Sequence, residues 1–208
     1  MREAIIDGSV AQAVAAAQAA LDAGISPSEI ISAVVLPAME IVGEKFECGE
    51  FFLPEMMASA LGAQGIMKLL RPKLTERGVD PVATVVVGTV KGDLHDIGKN
   101  LVAMMWEGSG FNVVDLGVNV SPERFVEAIR GDNEVKLVGL SALLTTTMPM
   151  INTTIQAIGD AGLRDRVKIL IGGASVTQHF AEEIGADGYA TDASSAVRRA
   201  KELLAVQG

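Results

Sequence analysis

The chain has 208 residues and a formal net charge of −9, and it is 49% hydrophobic but only 4% aromatic. The acidic balance, with no basic cluster, argues against a nucleic-acid-binding surface. The single cysteine, Cys48, excludes an intrachain disulfide. Every apolar run is too short or too interrupted to span a bilayer, and the N-terminus lacks the apolar core of a signal peptide. We therefore expect a cytoplasmic protein without membrane contact.

Residues 1–79 have the pattern of a helical domain. An alanine-rich segment follows Ser9, a capping box begins at Ser26, and Pro37 is expected to break or kink the helix that it interrupts. Four helices joined by short turns predict a small antiparallel bundle. The predicted helices run from Ser9 to Leu21, Ser26 to Pro37, Pro37 to Phe46 and Pro54 to Glu76, with stop signals at Gly24, Gly49 and Gly78.

Residues 80–208 alternate strand and helix patterns. Pro72, Gly78 and Pro81 punctuate the segment from Leu70 to Pro81, which places the domain boundary near residue 79. Five strands separated by helices predict a doubly wound, flavodoxin-like parallel sheet, an α/β fold of the Rossmann-like type. The predicted strands are Ala83–Val87, Asn112–Leu116, Leu137–Leu140, Lys168–Ile171 and Gly188–Ala190; the predicted helices are Ile97–Glu107, Pro122–Arg130, Met148–Ala161, Thr177–Ile184 and Ala193–Leu204.

The motif with the clearest chemistry follows the first predicted strand. Asp93, His95 and Gly98 form the pattern D-x-H-x-x-G in a loop at the carboxyl end of that strand, where open α/β sheets place ligands. A histidine with a carboxylate two residues away is typical of a metal ligand with its orienting partner. The alternatives are a structural loop histidine and an aspartate that caps the following helix. The second histidine, His179, is interpreted as surface or pocket rim.

The loops after the third and fourth strands are rich in small and hydroxyl residues. Ser141 and the threonines 145–147 follow the third strand, and Gly172-Gly173 follow the fourth. Glycines allow a ligand to approach the backbone, and hydroxyls can bond its polar edges. The threonines have a second interpretation as caps of the next helix. In a flavodoxin-like order the first and third strands are neighbours, so we expect the His95 and Ser141 loops to share the topological switch point.

These motifs together resemble the cobalamin-binding proteins of corrinoid-dependent methyltransferase systems, whose module also occurs in cobalamin-dependent methionine synthase. The resemblance rests on Asp93-x-His95-x-x-Gly98, Ser141-x-Leu143 and Gly172-Gly173 in this order and spacing. The segment from Val42 to Glu55 is similar to the helical cap that precedes the module in methyl-transferring members. The resemblance therefore covers nearly the whole chain.

The resemblance implies a corrinoid bound in the base-off form, with His95 as the lower ligand of cobalt. Asp93 would accept a hydrogen bond from the other imidazole nitrogen, and Ser141 would extend this relay and help to take up or release a proton. Phe46, Leu53 and Met56 match cap positions over the upper corrin face, although their spacing also suits an ordinary bundle core. The remaining cofactor contacts that the resemblance implies are Asp96, Ile97, Gly98, Leu143, Thr145, Gly172 and Gly173.

The resemblance further implies a methyl carrier that is not a complete enzyme by itself. One methyltransferase would load a methyl group, with methylamines and methoxylated aromatics as the first donors to test and methanol and glycine betaine next. A second would pass the methyl group to tetrahydrofolate or a thiol coenzyme, and a reductive activase would restore oxidised cobalt. The alternatives are a cobalamin-dependent sensor, which usually adds a DNA-binding domain, and the small subunit of an adenosylcobalamin mutase, which generally lacks the cap.

Overall fold

The N-terminal third of the chain is helical, as predicted. The structure is a computed structural model that describes residues 1–75 and 81–205. The predicted helix end at Glu76, the stop at Gly78 and the boundary near residue 79 lie outside the described residues. In this part the helices are α1 (Arg2–Ile6), α2 (Val10–Asp22), α3 (Pro27–Ile30), α4 (Leu36–Glu47) and α5 (Leu53–Thr75).

The predicted break at Pro37 is a change of helix type within one continuous helical run. α3, a π-helical turn over Ile31–Val35 and α4 follow one another without a gap. The Leu36 amide donates to the Ile31 carbonyl, five residues back, as in a π-helix. Proline has no N–H for the usual α-helical hydrogen bond, so the backbone shifts to the wider turn instead of ending. The Ser26 hydroxyl caps the start of this run, as its capping box predicted.

Small residues bring α2 and α5 close together. Ala13 and Ala17 are fully buried. A Cβ built on Gly65 of α5 would lie 2.9 Å from Cγ2 of Val14, and one on Gly62 would lie 3.8 Å from Cβ of Ala13. The alanine-rich sequence of α2 therefore serves tight helix packing.

The chain divides into two compact units. The first comprises Met1–Val82 and Met104–Phe111, and the second comprises Ala83–Ala103 and Asn112–Gly208. The helix after the first strand, α6 (Ile97–Gly108), therefore begins in the second unit and ends in the first. Within residues 1–75 and 81–205, no helix is both long and apolar enough to cross a membrane.

The second unit is built on a five-stranded parallel sheet in the order β2-β1-β3-β4-β5, which confirms the flavodoxin-like prediction. The strands are β1 (Thr84–Thr89), β2 (Asn112–Asp115), β3 (Val135–Ser141), β4 (Lys168–Gly172) and β5 (Gly188–Ala190). The helices between and after them are α6, α7 (Pro122–Gly131), α8 (Pro149–Asp160), α9 (Gln178–Glu183) and α10 (Ala193–Ala205).

The central strands are buried because helices cover both faces of a parallel sheet. Every residue of β1 is buried. Phe125 of α7 packs so closely on this strand that a Cβ built on Gly88 would lie 2.8 Å from its ring. Phe125, Val138 and Ile155 belong to one apolar cluster, which holds the strands rigidly in register beneath the loops.

The register aligns the strand ends at one edge. Thr89 of β1 pairs with Ser141 of β3, Ser141 pairs with Gly172 of β4, and Gly172 pairs with Ala190 of β5. The loops that follow β1, β3 and β4 therefore leave the sheet side by side. The D-x-H-x-x-G loop and the Ser141 loop are therefore neighbours, as the sequence pattern predicted.

Candidate functional site

The loop after β1 is a tight turn fixed to its own strand. The Asp93 amide donates to the Val90 carbonyl at 3.1 Å. Gly92, between them, has φ +86°, a left-handed conformation that suits glycine. The Thr89 hydroxyl, at the end of β1, donates to the His95 carbonyl at 2.8 Å and so ties the far end of the loop to the strand. Both ends of the segment that carries Asp93 and His95 are thus tied to β1.

Asp93 lies at the centre of the site. Its side chain is fully buried. Oδ1 accepts from the His95 amide at 3.1 Å and lies 2.7 Å from His95 Nδ1. Oδ2 accepts from the Thr147 hydroxyl at 2.7 Å and from the Leu143 and Leu144 amides at 2.7 and 3.3 Å. Because both oxygens are saturated by donors, the carboxylate is held in one orientation.

These donors keep Asp93 ionised. Burial by itself raises the pKa of the Asp93 carboxyl, since a buried charge loses its hydration. The hydrogen bonds from Thr147, from the amide and imidazole of His95 and from the Leu143 amide outweigh it, and the pKa lies well below its ordinary value. A fixed negative charge therefore stands behind His95 at every physiological pH.

His95 joins this buried carboxylate to the surface. Its side chain is 51% exposed, whereas that of Asp93 is 0% exposed. With Nδ1 donating to Asp93, a neutral imidazole carries its lone pair on Nε2. The loop thus presents one oriented, exposed imidazole. The structure brings together Asp93 and His95 as the motif predicted.

The hydroxyl that reaches Asp93 is that of Thr147 rather than that of Ser141. Ser141 is the last residue of β3, and its carbonyl accepts from the Val90 amide at 3.0 Å. Thr147 is buried and also donates to the Leu144 carbonyl at 2.9 Å. The sequence pattern predicted Thr147 only as a helix cap or as a hydroxyl that contacts a ligand. A Ser141 relay therefore stays a prediction, and Thr145 is exposed in the same loop.

The loops after β3 and β4 are locked to each other. The Ser175 hydroxyl donates to the Leu143 carbonyl at 2.6 Å, and the Ala142 amide donates to the Gly172 carbonyl at 3.2 Å. Gly173 has φ +126°, and a Cβ there would lie 2.0 Å from the Ala142 carbonyl oxygen. Glycine is therefore required at position 173 by the close approach of two backbones, whatever ligand lies beside them.

Gly98 has no comparable structural reason to be glycine. A Cβ built there meets nothing within 4 Å, and its φ is not in the left-handed region. Glycine in a helix costs about 1 kcal/mol relative to alanine. A glycine at this exposed position, directly after the histidine loop, fits a site where a ligand comes close to the helix backbone.

Large apolar side chains surround His95 in the loops. Leu94, Ile97 and Leu144 are 71%, 72% and 42% exposed. Exposed apolar groups that cluster in ligand loops are typical of a site that packs against a broad apolar surface. Asp96, between them, is also exposed; its side chain accepts from Asn100 at 3.2 Å, and its carbonyl accepts from the Asn100 amide at 2.7 Å.

Two further residues of the site had no signal in the sequence. Lys99 is buried and donates to Asp115 at the end of β2 and to Asn100, which fixes the start of α6. Asn119, beyond β2, hydrogen-bonds to the backbone on both sides of the turn at Gly92. Neither Lys99 nor Asn119 is part of a recognisable sequence motif, because each forms hydrogen bonds to residues distant in sequence.

The predicted cap residues lie around the turn between α4 and α5. Phe46, near the end of α4, is half-buried, Leu53, the first residue of α5, is 41% exposed, and Met56 is completely buried. Lys45 lies 5.3 Å from the ring of Phe51 and forms an ion pair with Glu50, which orders this turn. A covering role for Phe46, Leu53 and Met56 stays a prediction.

The side chains of the site fit a metal that is bound mainly by its own cofactor and not by the protein. Among residues 1–75 and 81–205, no group of three or more His, Cys, Asp or Glu side chains is placed to hold a bare ion. Bare transition-metal ions need three or four protein ligands. A cobalt held by a corrin ring would need few ligands from the protein, and Nε2 of His95 is the group here that would supply one. The exposed leucines and isoleucine suit the apolar ring.

Family models match both parts of the chain. One described as a B12 binding domain matches residues 83–198, and a second B12 binding domain model matches residues 1–71. The sheet with its histidine loop and the helical region before it thus define the class: a B12-binding protein.

Similarity to known proteins shows which family of B12-binding proteins the chain belongs to. The trimethylamine corrinoid protein of Methanosarcina barkeri is 42% identical over 99% of this chain and 95% of its own length. The crystal structure of a cobalamin-binding protein from Desulfitobacterium hafniense DCB-2 has a TM-score of 0.82 and 31% identity, and the match covers 97% of this chain and 96% of that chain. A chain of the methanol:cobalamin methyltransferase complex from Methanosarcina barkeri has a TM-score of 0.81 and 29% identity over 98% of this chain and 78% of its own. The protein belongs to the family of corrinoid proteins of methyltransferase systems.

Proposed function

We propose that this protein is a methyl carrier in which His95 is the lower axial ligand of a base-off corrinoid. The observation that carries the proposal is the His95–Asp93 pair: an exposed imidazole whose Nδ1 lies 2.7 Å from a fully buried carboxylate. When bound, the corrinoid supplies a cobalt that accepts a methyl group from one partner and gives it to another.

The residues around His95 hold its tautomer. Asp93 keeps the proton on Nδ1, so that Nε2 retains the lone pair that a metal needs. Thr147 and the Leu143 and Leu144 amides hold Asp93 itself, so that the carboxylate cannot turn away from the ring. Thr89 holds the His95 backbone. The loop therefore offers a ligand whose direction is set before the cofactor binds.

The helical unit is proposed to cover the reactive face. Phe46, Leu53 and Met56 would exclude water from it, since apolar side chains protect a reactive intermediate. A domain boundary near residue 79, with a hinge in the segment from Leu70 to Pro81, would let this cap move aside for each partner. The support for these roles is the match of residues 1–71 to a B12 binding domain model.

Methylamines are the proposed methyl donors, with methoxylated aromatics as the next class. The support is the trimethylamine corrinoid protein that is 42% identical over nearly the whole chain. A substrate:corrinoid methyltransferase is the first proposed partner, as in the methanol:cobalamin methyltransferase complex of similar fold. The further proposed partners are a methyltransferase that delivers the methyl group to tetrahydrofolate or a thiol coenzyme, and a reductive activase.

Substitution of the histidine tests the ligand assignment. The full chain is loaded with methylcobalamin, and the absorption spectrum is compared for wild type, His95→Ala and His179→Ala. We expect only His95→Ala to show the spectrum of a cobalt without a nitrogen lower ligand, because His95 is the histidine paired with Asp93. His179→Ala is the matched control for the second histidine. A wild-type spectrum in His95→Ala would refute the assignment.

A transfer assay tests the carrier role against the sensor alternative. The cobalt of the loaded protein is reduced and then offered mono-, di- and trimethylamine with their purified methyltransferases. We expect donor-dependent methylation in the presence of one of these enzymes. No methylation with any donor class, together with a change of oligomeric state on illumination, would instead support a light-responsive sensor.

A further inference from the structure

Asn119 has a backbone conformation that side chains rarely adopt. Its φ is +54°, and it is the only non-glycine residue with positive φ among those the structure describes. Asparagine tolerates the left-handed region better than most residues because its short polar side chain bonds locally. The residue lies in the connection between β2 and α7, outside the D-x-H-x-x-G motif.

Both polar ends of Asn119 contact the histidine loop. Its side-chain oxygen accepts from the Gly92 amide at 2.8 Å. Its own amide donates to the Asp93 carbonyl at 2.9 Å. A left-handed residue can make both bonds at once, because the backbone turn brings its amide and its side chain to the same neighbouring segment. Asn119 therefore holds the peptide group before Gly92 and the peptide group after Asp93, one on each side of the Gly92–Asp93 pair.

The backbone on either side of Asn119 is itself hydrogen-bonded to the end of β1. The Val120 amide donates to the Thr89 carbonyl at 2.9 Å, and the Thr89 amide donates to the Gly117 carbonyl at 3.0 Å. Val90 and Val120 form a parallel bridge. Asn119 is thus a rigid contact that reaches the turn from outside it, whereas the bonds from Val90 and Thr89 act from within the same loop.

We infer that Asn119 is a positioning residue for His95. By holding the chain before Gly92 and after Asp93, it fixes where the Asp93 carboxylate lies. That carboxylate orients the imidazole through Nδ1. The effect on cobalt ligation rests on the proposed function, whereas the effect on the loop of the free protein does not.

Three variants separate positioning from ordinary stabilisation. Asn119→Gly keeps the left-handed backbone and its amide but removes the side-chain acceptor. Asn119→Asp keeps an acceptor of the same length in a residue that also tolerates positive φ. The matched control is Asp132→Gly. Asp132 accepts from the Glu134 amide at 2.8 Å in a loop of the same unit, but it precedes β3 and so lies at the opposite edge of the sheet.

The first measurement uses the protein without cofactor. Amide hydrogen exchange at Gly92, followed by NMR, is expected to accelerate about tenfold in Asn119→Gly, the order expected for loss of one hydrogen bond. It should stay near the wild-type rate in Asn119→Asp and in Asp132→Gly. Unchanged exchange at Gly92 in Asn119→Gly would overturn the inference, whatever the lower ligand of cobalt proves to be.

The second measurement is the spectrum of the methylcobalamin complex. We expect the ratio of histidine-ligated to unligated cobalt to fall about three- to tenfold in Asn119→Gly, to recover in Asn119→Asp and to stay unchanged in Asp132→Gly. If Asn119→Gly keeps the wild-type ratio while His95→Ala loses the nitrogen ligand, the positioning role is overturned and the proposed function stands. A wild-type spectrum in His95→Ala overturns the proposed function alone.

Discussion

Asp93 is the residue on which the site depends, because one buried side chain connects the loops after β1 and β3. Its Oδ1 serves His95, and its Oδ2 serves Thr147 and two amides of the β3 loop. Removal of a buried charged acceptor leaves several donors unsatisfied, which is more costly than the loss of the bonds themselves. The carboxylate therefore has a structural role in addition to the role proposed for it beside His95.

We predict that Asp93→Asn lowers the free energy of unfolding by about 3 kcal/mol at neutral pH, because in either orientation the amide nitrogen faces donors that an oxygen accepted from. The pKa of Asp93 is lowered in the folded protein. Its stabilisation is therefore present above the ordinary carboxyl pKa of about 4 and is lost as pH falls towards the folded pKa. The urea midpoints of wild type and variant should therefore begin to converge as the pH falls below about 4.

The control for this pH effect is Asp160→Asn. Asp160 is exposed at the end of α8, so the substitution should change the urea midpoint little at any pH. A gap between Asp93→Asn and wild type that stays constant from pH 7 to pH 3 would contradict the linkage argument.

At the scale of elements, the π-helical turn between α3 and α4 has an identifiable cause. Pro37 cannot donate to the Ala33 carbonyl, four residues back. The Arg2 guanidinium donates to that carbonyl at 2.8 Å. A side chain from α1 thus satisfies an acceptor that the proline leaves free, and it ties the start of the chain to the bent helical run.

We predict that Arg2→Ala lowers the free energy of unfolding by about 1 kcal/mol, the usual net value of one hydrogen bond. In a Pro37→Ala background the new amide can serve the Ala33 carbonyl, so Arg2→Ala should then cost less. A double-mutant cycle by thermal unfolding measures this coupling. Equal costs of Arg2→Ala in both backgrounds would show that the guanidinium does not replace the missing amide.

For the whole molecule, α6 is divided between the two compact units. The helix starts at the histidine loop, yet Met104–Phe111 belongs to the same compact unit as residues 1–82. Met105, Trp106 and Phe111 are almost completely buried. This segment belongs to the helical unit although it lies between two strands of the sheet in the sequence. The boundary between the units therefore does not fall at a single point in the chain.

The single tryptophan makes this division measurable. We predict that the isolated segment 83–208 emits tryptophan fluorescence at longer wavelength than the full chain, because Trp106 loses its apolar surroundings. It should also unfold at a lower urea concentration, since buried apolar area lost from this helix end is worth about 25 cal/mol per Å². An emission maximum equal to that of the full chain would contradict the division into units.

The sequence alone determined the fold class and the central motif, for a physical reason. Uninterrupted β-branched runs such as Val85–Val87 must be buried on both faces, and helices between them force a parallel sheet. The loop at the end of β1 then had to lie at the switch point, which placed Asp93 and His95 correctly. Local signals also located the cap of the helix at Ser26 and the irregularity at Pro37.

The tertiary structure alone decided which groups serve the histidine. Thr147 rather than Ser141 reaches Asp93, because the chain after β3 turns back on itself and carries a hydroxyl 54 residues away in sequence to the carboxylate. Asn119 and Lys99 also contact residues distant in sequence, namely Gly92 and Asp115. Such partners depend on the direction of each side chain after packing, and no spacing of residue types along the chain encodes that direction.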